Sequence, residues 1–158
     1  MEHPAVDRVR AALRAAGAEG EVRVLDDQVR TAALAAAALG CEVGAIANSL
    51  VFDADGAPVL VLTSGAHRVD TALLAATHGL PELRRAAPDF VREHTGSAIG
   101  GVAPVGHPEP LRTFVDVALE QYPVVWAAAG HPRTVFPTAY KELLRITGGT
   151  ATVVAAAG

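Results

Sequence analysis

The fold is decided by two apolar runs joined by a short turn, residues 49–62, SLVFDADGAPVLVL. The runs at 49–52 and 58–62 are rich in Val and Leu, and residues 53–56 between them read DADG. An Asp-Gly pair in so short a connection is typical of a tight β-hairpin turn. The stretch therefore predicts two adjacent strands, and their continuous apolar character predicts burial on both faces.

Outward from this hairpin, helices and strands mix along the chain without strict alternation. Helical patterns that begin near Pro, Thr or Asp and end near Gly cover residues 4–16, 31–39, 70–78, 88–94 and 137–147. Further strands are predicted at 21–25, 124–127, 134–136 and 151–154. No internal repeat or long linker interrupts the pattern. We therefore predict one mixed α/β (α+β) domain over residues 1–158, rather than a doubly wound parallel sheet.

Composition excludes several classes of protein. The net charge of −4 and the pI of about 5.8 disfavour a basic, DNA-coating surface, although a local contact with one end of an RNA stays open. The single cysteine, Cys41, excludes an internal disulfide and a cysteine zinc site. No apolar run approaches the ~20 residues of a membrane span, and the first residues lack a signal-peptide core. We therefore expect a soluble, cytoplasmic protein without membrane contact.

The segment IGGVAPVGH at residues 99–107 is rich in glycine. It is not a P-loop, because no Lys-Ser/Thr pair follows it. Its glycines would still let backbone N–H groups approach an anion or a carbonyl oxygen, with a tight structural turn as the alternative. The six histidines include no pair three or four residues apart, so no metal site is predicted.

Nucleophilic and acid–base chemistry has weak support in the residues alone. Ser64 precedes His67 and Asp70 closely, but proximity in sequence is not triad geometry, and Asp70 also suits a helix cap. The carboxylate pairs at 26–27 and 53–55 fall in turns, where solvated turn residues are the simpler interpretation. Taken alone, the residues predict a mixed α/β domain without an assigned reaction.

Several spaced motifs stand in a characteristic order. They are VRTAA at 29–33, CEVGAIANSLVF at 41–52, PVLVLTSG at 58–65, RVD at 68–70, TGSAIGGVAPVGH at 95–107, VWAAAG at 125–130 and ELLRITG at 142–148. Together they resemble the YbaK/prolyl-tRNA-synthetase-associated domain family of aminoacyl-tRNA deacylases, over roughly residues 6–154. The resemblance implies a mixed sheet curled into a barrel-like core with helices outside. It also implies hydrolysis, in trans, of the ester joining a small, wrong amino acid to tRNA, with proline tRNA as one candidate.

The resemblance further implies the site and the partners. It assigns the catalytic positions Asn48, Gly100 and Gly101, with loop amides holding the developing oxyanion. Substrate-binding positions are expected at Arg30, Thr31, Ser64, Gly65, Val102, Ala103, Pro104, His107 and Gly130. The expected partners are the acceptor end of a tRNA carrying an amino acid and, in some members, an aminoacyl-tRNA synthetase. No cofactor and no metal are implied.

Position 48 departs from the family pattern. The family carries a functional lysine in the motif I-A-K-S, whereas residues 46–49 here read IANS, and the chain's one lysine is Lys141. An amide supplies neither a cation nor a base, but it hydrogen-bonds a phosphate, a ribose hydroxyl or a carbonyl oxygen about half as strongly as a charged group does. Two hypotheses follow. Either a hydroxyl of the terminal ribose helps to position water and hydrolysis survives, or the chain is a catalytically weakened or inactive module that binds a tRNA end or a small ligand.

Four residues also have a structural interpretation. Thr31 suits the cap of the alanine-rich helix, and His107 suits a packed loop histidine. We expect Trp126 in the core rather than as a base-stacking platform. Cys41 is expected to be a core residue at a helix end, not a nucleophile.

Overall fold

The computed structural model describes residues 3–155. The two ends of the predicted 1–158 domain, residues 1–2 and 156–158, lie outside the described residues. The described strands are β1 (Arg23–Val24), β2 (Ile46–Ala54), β3 (Ala57–Ser64), β4 (Leu83–Arg85), β5 (Arg112–Asp116), β6 (Val125–Ala128), β7 (Thr134–Thr138) and β8 (Thr150–Thr152). They form one mixed sheet in the order β1-β7-β6-β2-β3-β5-β8, with β4 paired to β2 beside this path.

Five α-helices surround the sheet in the described part of the chain. They are α1 (Pro4–Ala15), α2 (Ala32–Leu39), α3 (Thr71–His78), α4 (Pro88–Thr95) and α5 (Tyr140–Thr147). Side-chain caps begin three of them. The His3 Nδ1 accepts from the Ala5 N–H at 3.2 Å, the Thr31 hydroxyl from the Leu34 N–H at 3.2 Å and the Asp70 carboxylate from the Leu73 N–H at 3.0 Å. The mixed α/β fold class is confirmed, and so is the Thr31 cap.

The predicted hairpin is confirmed as the centre of the sheet. Strands β2 and β3 pair antiparallel from Ala54↔Ala57 to Ala47↔Ser64. Asp55 and Gly56 at the turn have φ angles of 54° and 92°, as a two-residue hairpin turn with two positive φ values requires. From residue 59 to 64, β3 is buried throughout, between β2 on one side and the parallel β5 on the other. Residues 48–53 of β2 are only half-buried, so the predicted burial on both faces is confirmed for β3 and was wrong for the first run.

The two faces of the sheet carry different parts of the core. One face packs on α1, α4, α5 and the glycine-rich segment, through Leu60, Leu62, Val115, Phe136, Val9, Leu13, Val91 and Leu143. The other face packs on α3, through Val59, Val61, Phe114 and Leu74, and on α2, through Ala35, Ala36, Ile46 and Val135. Burying one Leu or Phe side chain contributes ~1.5–3 kcal/mol, so these clusters hold the helices in place.

Two predictions about the elements were wrong. The helix predicted from residue 137 begins at Tyr140, and Pro137 lies in β7. Pro137 is tolerated there because β1 pairs only with Thr134 and Val135, which leaves Pro137 at a sheet edge where no backbone donor is needed. Strands β4 and β5 were also not predicted. Strand β5 lies between β3 and β8 and is buried on both faces, so it shows no alternation.

The pairing of β2 leaves a gap along one of its edges. On the side away from β3, β6 pairs with β2 at Ile46 and Ala47, and β4 pairs with it only from Phe52 onward. Among the described strands, none pairs with residues 48–51 of β2 on that side. This gap positions the candidate site. No helix of the described chain has the length and apolar character needed to cross a membrane.

Candidate active site

A small cavity of about 40 Å³ opens at the gap in the sheet. Its wall is built by β2, β6 and β7, by the start of α2 and by the glycine-rich segment. The lining residues are Val29, Arg30, Thr31, Ala32, Ala35, Ile46, Ala47, Asn48, Ser49, Gly100, Val102, Trp126, Ala127, Ala128, Thr134 and Val135. About 10–15 Å³ of such volume holds one water molecule, so the cavity has room for a small group of a few heavy atoms.

Asn48 supplies an amide to this wall. It is half-buried on β2 and stands opposite Thr63 of β3. Its side chain forms no hydrogen bond with another group in residues 3–155. Five of the sixteen wall residues are alanine, and the Asn48 amide is a polar group of this wall that a ligand can reach.

The glycine-rich segment lies against Arg30. Gly100 has a φ of +91°, and a Cβ there would stand 3.2 Å from the Cα, Cβ and Cγ atoms of Arg30. Glycine is therefore required both by the backbone conformation and by the contact. The close approach brings the backbone of Gly100 and Val102 to the cavity wall.

Some backbone N–H groups of the glycine-rich segment already form hydrogen bonds within the protein, and others do not. The Gly101 N–H donates to the Ala98 carbonyl at 3.0 Å, and the Gly101 carbonyl accepts from the Gly130 N–H at 2.9 Å. Gly101 and Gly130 thus hold the loop, and the Gly101 N–H is already engaged. The N–H groups of Gly100 and Val102 donate to no other group within residues 3–155, so they are free to bind a ligand.

The cavity wall contains a single ionisable side chain among the described residues, Arg30. Its Nε donates to the Gln28 Oε1 at 2.8 Å, which orients the guanidinium. Burial lowers the pKa of His131, and the charges of His3, Arg133 and Arg30 lower it further. Arg30 and Arg133 thus lie close enough to act on the charge of His131, whose backbone lies against Gly101 of the glycine-rich segment.

Trp126 also lines the cavity rather than lying wholly in the core. It is half-buried, and the Arg23 guanidinium lies 4.8 Å from the centre of its ring. That distance fits a cation–π contact. Trp126 thus packs on the α2 cluster, as the core prediction requires, and also lines the cavity.

Ser49 has a buried hydroxyl without a partner. In the described chain its Oγ is the one buried side-chain polar atom that forms no hydrogen bond. A buried hydroxyl left unsatisfied costs ~1–3 kcal/mol, and Ser49 lines the cavity, so this hydroxyl is available to a ligand there. Sequence reasoning passed over Ser49, and its place directly after Asn48 in the IANS motif was the signal that could have found it.

Other predicted site residues lie outside the cavity wall and support it from behind. The Ser64 Oγ donates to the Gly44 carbonyl at 2.8 Å, and the Gly65 N–H donates to the Ile46 carbonyl at 2.8 Å. Ala103 and Pro104 are buried residues of the glycine-rich segment that do not line the cavity. The Nε2 of His107 lies 2.7 Å from the Ala103 carbonyl oxygen, so His107 closes the loop as the packed-histidine interpretation predicts.

The Ser64 region does not assemble a catalytic triad. The Nδ1 of His67 lies 2.8 Å from the Oδ2 of Asp116, a carboxylate that is 1% exposed. The Ser64 hydroxyl, however, is directed to the Gly44 carbonyl. Asp116 also accepts from the Ser64 and Ala118 N–H groups, both at 2.9 Å, so the carboxylate ties the end of β3 to the end of β5. Among residues 3–155, no three His, Cys, Asp or Glu side chains are grouped as a metal site would require.

Comparison with known proteins identifies the family. The family model of the aminoacyl-tRNA editing domain matches residues 26–146. The chain belongs to this family. It is therefore an aminoacyl-tRNA deacylase, an enzyme that hydrolyses the ester between an amino acid and tRNA.

Individual relatives agree with this assignment. The crystal structure of a candidate trans-editing enzyme for prolyl-tRNA synthetase has a TM-score of 0.91 and 44% identity, and the match covers 99% of this chain and 100% of that one. The uncharacterized protein YwhH of Bacillus subtilis is 31% identical over 79% of this chain and 80% of its own length. The proline–tRNA ligase of Bacillus licheniformis is 32% identical over 75% of this chain but only 21% of the ligase.

Proposed function

We propose that the chain removes a small amino acid, such as alanine, from a tRNA that has been wrongly charged with it, and that it does so in trans on proline tRNA. The observation that carries the proposal is the 40 Å³ cavity beside the Asn48 amide and the loop donors. A small side chain such as that of alanine fits this volume, and we expect the surrounding walls to reject a larger one such as that of proline. Because a hydrophobic pocket gains only ~1–3 kcal/mol per methylene, rejection of the larger residue has to be steric.

The reaction needs no protein nucleophile. A water oxygen attacks the ester carbonyl carbon, and the carbonyl oxygen gains the negative charge. The bond to the ribose oxygen then breaks, that oxygen takes a proton from the attacking water, and a free amino acid leaves. Among the described residues the cavity wall offers no carboxylate, imidazole or thiol as a base. A neighbouring ribose hydroxyl of the substrate therefore positions the water.

Backbone donors stabilise the charge that develops. The N–H groups of Gly100 and Val102 are unengaged and belong to a loop held rigid by Gly101 and Gly130. One such preorganised donor is worth ~10²–10³ in rate. The Asn48 amide and the Ser49 hydroxyl bind the ribose or the amino acid, and Arg30 provides the positive charge at the terminal phosphate that a lysine at position 48 would otherwise provide.

The proposal is tested with purified protein and proline tRNA charged with alanine, cysteine or proline. We expect loss of the alanyl ester well above the buffer rate and little loss of the prolyl ester. No acceleration for any substrate would overturn the proposal and favour a binding module. Arg30→Gln should raise KM more than it lowers kcat, because Arg30 binds rather than reacts. Arg14→Gln, an exposed arginine of α1 far from the wall, serves as the matched control.

The partner question has a separate test. The likeness to a trans-editing candidate over the full described fold supports action as an independent protein in the cytoplasm, where charged tRNA is found. An obligate partner of prolyl-tRNA synthetase would instead co-purify with it and show activity only in the complex. Activity of the lone protein contradicts that alternative.

A further inference from the structure

A second groove lies directly beside the editing cavity. Its volume is about 520 Å³, and it shares Ser49 and Val102 with the cavity wall. The remaining lining residues are Leu50, Val51, Phe52, Arg68, Val69, Thr71, Arg85, Ala86, Val91 and Ile99. The gap in the sheet runs along both spaces, so a ligand seated in the cavity can continue into the groove without leaving the surface.

The groove combines cations with apolar walls. Arg68 and Arg85 are exposed, and neither forms an ion pair within residues 3–155. Ile99 is 51% exposed at the loop edge, and Phe52 is half-buried on the floor. Proteins that bind single-stranded nucleic acid use this combination: cationic side chains contact the phosphates, and the bases stack on apolar side chains.

The exposed edge of β2 adds polar groups. Residues 48–51 have no strand partner on the groove side among the described strands, so their backbone groups on that side are open to a ligand. Unstacked bases of single-stranded RNA are recognised by hydrogen bonds at their edges. The volume of the groove is within the ~300–1,000 Å³ typical of small-ligand sites, which suits one nucleotide.

We propose that this groove binds the penultimate nucleotide of the tRNA 3′ end, with Arg68 and Arg85 on the phosphodiester and Phe52 and Ile99 against the base. The inference rests on the proposed function, because the terminal adenosine must sit at the cavity for its neighbour to reach the groove. Arg68 and Arg85 are then positioning residues. They hold the acceptor end so that the ester reaches the loop donors.

The test compares two stable analogues in which an amide replaces the ester. One is 3′-alanylamino-adenosine, and the other is the RNA trinucleotide CCA with the same 3′-alanylamino end. Wild-type protein should bind the trinucleotide more tightly. The double variant Arg68→Gln/Arg85→Gln should weaken trinucleotide binding about tenfold and leave adenosine-analogue binding unchanged. The double variant should also make trinucleotide binding less dependent on salt. The slope of the logarithm of the binding constant against the logarithm of the salt concentration should become shallower by ~0.7 for each phosphate contact that is lost.

Arg84→Gln is the matched control, since Arg84 is the neighbour of Arg85 on β4 but lies outside the groove, 3.7 Å from Glu82. It should bind both analogues like wild type. Equal weakening for both analogues, or none for either, would overturn the groove assignment while deacylation could still stand. Groove-dependent binding of the trinucleotide without deacylation of any charged tRNA would instead overturn the proposed function alone.

Discussion

Replacing Ser49 with alanine should separate function from stability. The Ser49 Oγ is buried and has no hydrogen-bond partner in the described chain. A buried hydroxyl without a partner destabilises the folded state by ~1–3 kcal/mol, so removing it stabilises the fold. The small space left behind reduces this stabilisation. We expect the free energy of unfolding to rise by about 1 kcal/mol, or ~2–4 °C in Tm for a chain of this size.

Ser64→Ala is the matched control. Ser64 lies on the neighbouring strand and is 1% exposed, but its Oγ donates to the Gly44 carbonyl at 2.8 Å and accepts from the Ala66 N–H at 3.3 Å. The same substitution there leaves a buried carbonyl unsatisfied and should cost ~1–3 kcal/mol. The two serine variants should therefore move Tm in opposite directions.

Thermal unfolding and deacylation measured on the same preparations test this reasoning. Ser49→Ala should lower kcat/KM about tenfold, equal to ~1.4 kcal/mol of transition-state binding. If Ser49→Ala lowers Tm as much as Ser64→Ala does, the Ser49 hydroxyl is not an unsatisfied group and the reasoning is refuted. A gain in stability with unchanged kcat/KM would refute its contact with the substrate.

Three further predictions concern the cavity and its loop. Asn48→Ala should lower kcat/KM about tenfold with little change in Tm, because the amide has no protein partner. Asn48→Lys should retain or raise activity. If the wild-type protein is inactive and Asn48→Lys creates activity, the chain is a binding module. Gly100→Ala should lose ~1–2 kcal/mol of stability because of its positive φ, and it should lose activity because the new Cβ presses on Arg30. Gly56→Ala is the control. Gly56 has a similar φ of +92° and nothing within 4 Å of an added Cβ, so this variant should lose stability but not activity. Burial lowers the pKa of His107, despite the opposing bond to the Ala103 carbonyl. The unfolded chain then takes up the proton first, so stability falls as pH drops below about 6.5, and His107→Gln should flatten the Tm profile between about pH 7.5 and about pH 5.5.

Local signals carried much of the fold prediction. The Asp-Gly turn, the Thr31 and Asp70 caps and the glycine stops are decided by neighbours a few residues apart, and the structure confirms them. Strand β5 was beyond such signals, because a short strand buried on both faces has no alternation. At Pro137 a local signal was present but ambiguous. Proline favours the first turn of a helix, which gave the wrong start of α5, but it is tolerated equally well at the edge position that it occupies in β7.

The site divides in the same way. The sequence by itself determined the family, the glycine-rich loop and the amide at position 48, because these are properties of residue type and order. Only the tertiary structure decided which loop amides are engaged, since Gly101 bonds to partners that folding brings to it. It alone also revealed the gap in β2 and the buried Ser49 hydroxyl without a partner. Strand pairing and burial join residues far apart in sequence, and no local pattern records which partner a backbone or hydroxyl group will find.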